Sequence, residues 1–215
     1  MKLKIALVLG VLTASLWGRL ITDGYNFKIT GGNEVIPFGQ ACSTLTAVGA
    51  KVVLEGDNRV SYLQLRDSFL KINPGTAISY LEGDHSKIEG DRPTISALML
   101  KNGSTASIKG GTISSISISD SNLTLQKGVV ASLVVGNGGV VNLNGTLLTT
   151  AAYTRVKPSY PRPGQIVLYP NGRLLIAGKF EIEGKTLTIR YKDGTTTMAR
   201  LVLLRGGKPR ISSTP

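Results

Sequence analysis

Apolar residues recur every 17 or 18 residues through the middle of this chain. Each of six segments opens with an apolar residue, usually followed by serine, any residue, and leucine or isoleucine. The six segments start at Cys42, Val60, Ile78, Ile95, Ile113 and Val130. A regular repeat of this length is typical of a solenoid, in which each coil buries its apolar face against its neighbours. The pattern therefore predicts stacked coils.

Within each repeat, apolar and polar residues alternate in two short runs, which is the period of a strand with one buried face. In the coil that starts at Val60, the first run contains Leu63 and Leu65, and the second contains Leu70 and Ile72. Turn residues, mostly glycine, follow the second run. Strands and turns that return the chain to the same position predict a parallel β-helix. Its expected interior column is Leu45, Leu63, Leu81, Leu98, Ile116 and Leu133.

A second expected column consists of the serines that follow the opening residue of most repeats. These are Ser43, Ser61, Ser79, Ser96 and Ser114. One interpretation is a hydrogen-bonding face for a sugar or for ice, and the other is a tight corner that accepts only small residues. The corner is favoured, because the pair Thr44 and Thr46 does not recur at the repeat period as an ice-binding array requires.

The domain organisation follows from where the repeat begins and ends. We expect a parallel β-helix of about six coils over residues 42–148 and an N-terminal cap over residues 19–41. Residues 149–165 are rich in proline and cations and predict a linker. Residues 166–205 contain five short runs of strand composition between turn signals, and they predict a small antiparallel meander, either a small barrel or a sheet that covers the end of the solenoid. Residues 206–215 are expected to form a flexible tail. The predicted fold class is all-β.

The N-terminal residues 1–18 have the composition of a secretory signal peptide. Lys2 and Lys4 precede an apolar run from Ile5 to Trp17. This run is shorter than the ~20 apolar residues that cross a bilayer, although an uncleaved anchor remains an alternative. The expected location is therefore outside the cytoplasm, in the periplasm, on the cell surface or in the medium, with a virion as a further possibility.

The single cysteine, Cys42, excludes an internal disulfide in this chain of 215 residues. It occupies the opening apolar position of a repeat, so we interpret it as a small core residue. A hydrophobic fraction of 41% is sufficient for a core and excludes a disordered chain. The stacked coils must therefore supply the stability.

The coil over residues 78–94 departs from the repeat because charged residues replace part of its apolar alternation. Asp84, Glu89 and Asp91, with the lone histidine His85, could supply a carboxylate pair for glycan cleavage or a cation site. The favoured alternative is a solvated charged bulge, since sequence spacing does not show that these side chains converge. No metal and no cofactor are predicted.

Positive charge is concentrated in the C-terminal third. Residues 151–215 contain twelve Lys or Arg and three Asp or Glu, which accounts for nine of the twelve net positive charges. This bias predicts an anionic partner, such as an acidic polysaccharide, a membrane surface or nucleic acid, the last disfavoured by the apparent export signal. Ordinary solubility is the alternative explanation. The predicted anion-binding residues are Arg155, Lys157, Arg162, Arg173, Lys179, Lys185, Arg190 and Lys192.

The repeats from CSTLTAVGAKVVLEGDNR to VASLVVGNGGVVNLNGT resemble those of parallel β-helix proteins, including adhesin passenger domains, viral and phage spikes or fibres, and bactofilins. The resemblance covers residues 42–146 and concerns the architecture rather than one protein. Bactofilins have similarly short coils and polymerise end to end, so a likeness to them implies non-enzymatic scaffolding. Pectate-lyase-like enzymes have longer coils and a cleft built from loops.

Three functional hypotheses remain. The favoured one is a non-enzymatic exported structural or adhesion protein, in which the rod binds an anionic surface or assembles with copies of itself. The second is a virion spike or fibre, or a bactofilin-like polymer that assembles with itself or with other envelope or virion proteins. The third is a glycan-active enzyme centred on Asp84, His85, Glu89 and Asp91.

Overall fold

The computed structural model describes the backbone of residues 19–22 and all of residues 25–149, 163–204 and 210–214. Every regular element in these ranges is a β-strand, which confirms the all-β class. The predicted signal peptide, residues 1–18, lies outside the described residues, as does most of the predicted linker. The described ranges contain no helix with the length and apolar character needed to span a membrane.

The described strands form a parallel β-solenoid of about seven contiguous coils, which confirms the predicted architecture. Each coil contributes one strand to a long wall and one to a short wall. The strands of the long wall are β2 (Asn26–Thr30), β4 (Ala41–Val48), β6 (Arg59–Arg66), β8 (Ala77–Asp84), β10 (Thr94–Lys101), β12 (Thr112–Ile118), the second half of β13 (Asn122–Val135), β15 (Gly164–Leu168) and β19 (Thr196–Leu203).

The short wall runs beside the long wall over the same coils. Its strands are β3 (Asn33–Ile36), β5 (Lys51–Leu54), β7 (Phe69–Ile72), β9 (Lys87–Asp91), β11 (Thr105–Lys109), the first half of β13, the first half of β14 (Val140–Leu148), β16 (Arg173–Ile176) and β20 (Arg210–Ser213). Three strands pair antiparallel to their neighbours at the ends of the solenoid: β1 (Arg19–Thr22), β17 (Gly178–Glu183) and β18 (Thr186–Tyr191).

The strand register confirms the repeat starts and the interior column. Cys42 pairs with Val60, Val60 with Ile78, and each later start with the next. The six residues of the predicted column, which begins at Leu45 and ends at Leu133, are also register neighbours in succession. Each of them is at most 1% exposed. Each fully buried leucine or isoleucine contributes about 1.5–3 kcal/mol from the hydrophobic effect. The stacked column thus stabilises the solenoid together with the other inward columns of the core.

Corners break the alternation within each coil. In the coil of β6, the next buried residue after Val60 is Leu63, and the next after Leu65 is Ser68. These two steps are three residues long, whereas a strand with one buried face has steps of two. The first of these corners holds Ser61, one of the predicted serine column. Ser43, Ser61, Ser79 and Ser96 are exposed and Ser114 is half-buried. Their place at a corner agrees with the favoured interpretation of this column.

The solenoid begins earlier than residue 42. Within the segment predicted as a cap, residues 19–41, β2 and β3 form one more parallel coil on β4 and β5. Ile29 and Ile36 fill the inward positions above Ala47 and Leu54, and both are buried. The capping element is β1, which pairs antiparallel with β2 and covers its outer edge.

The antiparallel region is present but smaller than the predicted meander of residues 166–205. Only β17, β18 and β19 pair antiparallel, while β15, β16, β19 and β20 add two further parallel layers. The physical reason is that Ile166 and Leu174 fill the inward columns of Leu133 and Val141, 33 residues earlier in the chain. Residues 210–213, predicted to lie in a flexible tail, form β20 on β16.

Candidate functional site

His85 lies at the second corner of its coil, immediately after β8. Its φ of 47° is left-handed, as are the φ of 49° at Asp67 and 45° at Asp120, at the same corner of other coils. Aspartate, asparagine and histidine are the residues other than glycine that adopt this conformation most readily. The corner therefore accounts for a polar residue at position 85 without any chemical role.

Small buried residues follow these left-handed positions and form a serine ladder inside the solenoid. The Oγ of Ser86 accepts a hydrogen bond from the backbone N–H of Ser68 at 3.1 Å and donates to the carbonyl of Asp84 at 2.7 Å. Ser104 accepts in the same way from the N–H of Ser86. The sequence contains the signal for this ladder, because Ser68, Ser86 and Ser104 recur at steps of 18 residues.

Asp84, at the end of β8, contacts three polar side chains. Its Oδ1 lies 2.9 Å from Nδ1 of His85 and accepts a hydrogen bond from Nδ2 of Asn102 at 2.9 Å. Nζ of Lys101 lies 3.7 Å from the other carboxylate oxygen. The hydrogen bond from Asn102, aided by His85 and the charge of Lys101, lowers the pKa of Asp84. An aspartate held ionised in this way is a poor proton donor.

Glu82, two residues earlier, is only 7% exposed although it points outward from the long wall. Nζ of Lys101 lies 2.6 Å from one carboxylate oxygen, and the hydroxyl of Tyr62 donates to the other at 3.1 Å. The Tyr62 ring stacks on that of Tyr80, with centroids 5.1 Å apart. The hydrogen bond to Glu82 raises the pKa of Lys101. Since both oxygens of Glu82 are engaged, this network is suited to holding the wall together.

Glu89 and Asp91 lie on β9, in the short wall, whereas Asp84 lies in the long wall. Glu89 pairs with Lys87 at 2.9 Å, and Asp91 pairs with Arg92 at 3.5 Å. In the described part of the chain, no hydrogen bond or ion pair joins either carboxylate to Asp84 or to His85. The four predicted catalytic candidates thus divide into two separate pairs. In the ranges that the structure describes, no three His, Cys, Asp or Glu side chains come together as metal ligands.

An open groove of about 380 Å³ runs over the short wall beside Glu89 and Asp91. Lys71, Ser107 and Lys109 are among the other residues that line it. The lining contains two ammonium groups and two carboxylates, and both carboxylates are paired with Lys87 and Arg92 beside the groove. With those two cations counted, the local charge is positive, which suits a polar, negatively charged ligand. The two lysines were not among the predicted anion-binding residues, because the charge bias pointed only to the C-terminal third.

Five of the eight predicted anion-binding residues lie in the described part of the chain. Arg173, Lys179, Lys185, Arg190 and Lys192 are all exposed. The remaining three, Arg155, Lys157 and Arg162, lie outside the described residues. The described five are spread over β16, the β17–β18 hairpin and the turns beside it.

Two like-charged pairs stand out in this basic region. Lys179 of β17 lies directly opposite Arg190 of β18, and Arg173 of β16 is the register neighbour of Arg210 of β20. Arg210 was not among the eight predicted anion-binding residues. Among the residues that the structure describes, none of these four cations takes part in an ion pair.

The β17–β18 hairpin is fixed to the end of the solenoid by its inner face. Leu187, Ile189 and Tyr191 are buried in the core. The Tyr191 hydroxyl donates a hydrogen bond to the backbone carbonyl of Thr146 at 2.9 Å, and burial raises the pKa of Tyr191. The outer face is therefore held at a constant position. It presents Lys179 and Arg190, with Glu181 two positions along β17.

The described surfaces thus offer a polar groove on the short wall and a fixed basic end, and they leave the carboxylates of the long wall fully engaged. These features favour binding of an anion over proton transfer at Asp84 or Glu82. Comparison of the chain with protein-family models, with curated proteins and with solved structures found no match.

Proposed function

We propose that this protein is a non-enzymatic, exported structural or adhesion protein whose solenoid is a rigid support and whose basic C-terminal end binds an anionic polymer. The observation that carries the proposal is the placement of Lys179 opposite Arg190 on a fixed hairpin. Like charges directly opposite each other destabilise a sheet, and an anion bound between them would offset that repulsion. The pair formed by Arg173 and Arg210 repeats the arrangement.

The distribution of carboxylates supports the same proposal. No Asp or Glu occurs between residues 121 and 180, which include the last coils of the contiguous solenoid and β15 and β16. The C-terminal half of the rod therefore has cations with few internal counterions. A polyanion would supply them, and such an interaction weakens as salt rises.

The capped ends favour a single rod over an end-to-end polymer of the bactofilin kind. At one end β1 covers the edge of the long wall, and at the other end β18 covers it, while no described strand pairs with the outer edge of β3 or β20 in the short wall. A second copy placed end to end must leave space for the three strands β1, β18 and β17 on one wall, about 14 Å at the usual strand spacing, and no space on the other. That mismatch opposes straight stacking.

The engaged carboxylates make the glycan-active enzyme the weaker alternative. Glu82 and Asp84 are held by Lys101, Tyr62 and Asn102, and the Glu89–Asp91 pair lies on the other wall from His85. A pair of carboxylates for glycoside cleavage needs one member that holds a proton at the working pH. Glu89 and Asp91 are instead engaged in ion pairs with Lys87 and Arg92.

The test is binding of the full chain to immobilised polygalacturonate and polyglutamate, measured at increasing salt. The variant Lys179→Gln with Arg190→Gln is expected to bind roughly tenfold more weakly, a loss of about 1.4 kcal/mol, with a shallower salt dependence. The matched control is Lys28→Gln with Lys51→Gln, which removes two exposed lysines at the opposite end of the rod. The proposal fails if the wild type binds neither polymer at low salt, or if both variants lose binding equally.

A further inference from the structure

We infer that the partner is an acidic polysaccharide and that it lies along the short wall. We call the outward side chains of the short wall from β7 to β20 the short-wall track. One end of the short-wall track is the groove at Lys71 and Lys109, and the other end is the pair of Arg173 and Arg210. The inference rests on the proposed function, to which it adds a second site and a class of partner.

The groove end of the track has two ammonium groups that are free to meet an anion. In the strand register of the short wall, Lys71 is the neighbour of Glu89, and Lys109 is the neighbour of Asp91. Both carboxylates of β9 are paired instead with Lys87 and Arg92. In the described ranges neither Lys71 nor Lys109 forms an ion pair, and both are exposed.

Uncharged hydrogen-bonding side chains occupy the middle of the track. Thr124 and Gln126 of β13 are register neighbours of Asn142 and Asn144 of β14, and the residues between them in each strand are buried. The Oδ1 atom of Asn142 is buried without a hydrogen-bond partner among the described residues. Amides and hydroxyls both donate and accept hydrogen bonds, as the hydroxyl groups of a sugar do. This part of the track distinguishes a polysaccharide from other polyanions.

The arginine pair forms the far end of the track. Arg173 and Arg210 continue the column of Asn122 and Val140 on the last two layers of the short wall. Both are exposed, and their guanidinium groups can bind a carboxylate through two parallel hydrogen bonds. A uronic acid supplies both the carboxylate for such a group and hydroxyls for its neighbours.

The dimensions suit an extended chain. Six ladder steps separate β7 from β20, by way of β9, β11, β13, β14 and β16. At about 4.8 Å per step the track is about 29 Å long. One step is comparable with the length of one sugar ring in an extended polysaccharide, so each coil can offer a contact to each successive ring.

The experiment compares two carboxylate polymers, polygalacturonate, which has hydroxyl groups, and polyglutamate, which does not. The variant Gln126→Ala with Asn142→Ala removes neutral amides from the track, and Lys71→Gln with Lys109→Gln removes the groove cations. The matched amide control, Gln64→Ala with Gln165→Ala, lies on the outward side of the long wall. Because Asn142 is partly buried, Gln126→Ala alone is measured too, and the melting temperature of each variant is compared with that of the wild type.

Both track variants are expected to bind polygalacturonate about five- to tenfold more weakly, about 1–1.4 kcal/mol. The amide variant is expected to leave polyglutamate binding unchanged, and the control to leave both unchanged. If only the variant at Lys179 and Arg190 weakens binding, the proposed function stands and the track is refuted. If the amide variant weakens binding of both polymers equally, the polysaccharide is the wrong partner class. If the wild type binds neither polymer, the track fails together with the proposed function.

Discussion

Glu34 occupies in the first coil the inward register position that Val52 occupies in the second. Val52 is fully buried, whereas Glu34 is half-buried at the open end of the core. Its strand, β3, pairs with β5 alone among the described strands. A charge that points inward beside an open strand edge opposes pairing with another chain, because pairing would bury the carboxylate without a partner.

Replacement of Glu34 by valine is therefore expected to promote association through the N-terminal end. The wild type is expected to sediment as a monomer, and Glu34→Val as a mixture of monomer and dimer at the same concentration. Gln64→Val, which adds the same side chain to the outward side of the long wall, is the control. Sedimentation velocity measures the outcome. Identical profiles for Glu34→Val and the wild type would contradict this role of Glu34.

The serine ladder is expected to contribute measurably to stability. Ser86→Ala leaves the buried N–H of Ser68 without its acceptor at 3.1 Å, so the free energy of unfolding should fall by about 1–3 kcal/mol. Ser79→Ala changes an exposed serine of the same coil and should alter it by less than about 0.5 kcal/mol. Urea unfolding followed by circular dichroism gives both values. Equal stability of the two variants would show that the ladder is not stabilising.

The thiol of Cys42 is expected to be unreactive in the folded protein. Cys42 is buried, and its desolvation raises the pKa to about 11, above an ordinary value of 9.0. Only the thiolate is the nucleophile, so at pH 8 iodoacetamide should modify the native chain far more slowly than the chain unfolded in urea. Mass spectrometry of timed samples measures the two rates. Similar rates would mean that the first coil of the predicted repeat opens readily.

The carboxyl of Asp84 should titrate below its ordinary pKa of 3.8, chiefly because Asn102 donates a hydrogen bond to it. A lowered pKa in the folded state gives stability that is present above pH 3.8 and is lost as the pH falls through the folded pKa. Asn102→Ala should therefore raise the pKa of Asp84 and reduce the acid dependence of stability in that range. Carboxyl carbon NMR shifts follow the titration of Asp84 in the wild type and in the variant, and equal pKa values in the two proteins would contradict this role of Asn102.

The solenoid was predictable because a coil repeats its inward positions at a nearly constant spacing. Leu45 to Leu133 form the expected column for that reason. Ile166 and Leu174 fill the same columns, but they escaped detection because the chain between them and the preceding coil is longer. A period reveals only those coils whose loops have equal length.

The candidate sites were less accessible to sequence reasoning. Alternation indicates whether a side chain points inward or outward, but it does not show on which wall that side chain lies. Asp84 and Glu89 are five residues apart in the chain, yet a corner at His85 places them on different walls. Conversely, Arg173 and Arg210 are distant in the chain and adjacent in the short wall. The anion-binding role of all eight predicted cations remains a prediction, and three of them, Arg155, Lys157 and Arg162, lie outside the described residues.

The amino-acid sequence by itself determined the all-β class, the parallel coils and the interior columns of this protein, because burial of apolar side chains depends on local alternation and a constant repeat. Only the tertiary structure decided which polar residues share a surface. The corners distribute the outward side chains of each coil between two walls, and strand pairing then brings residues from distant loops into one column. The groove at Lys71 and Lys109 and the cation pairs at the C-terminal end arise from that stacking.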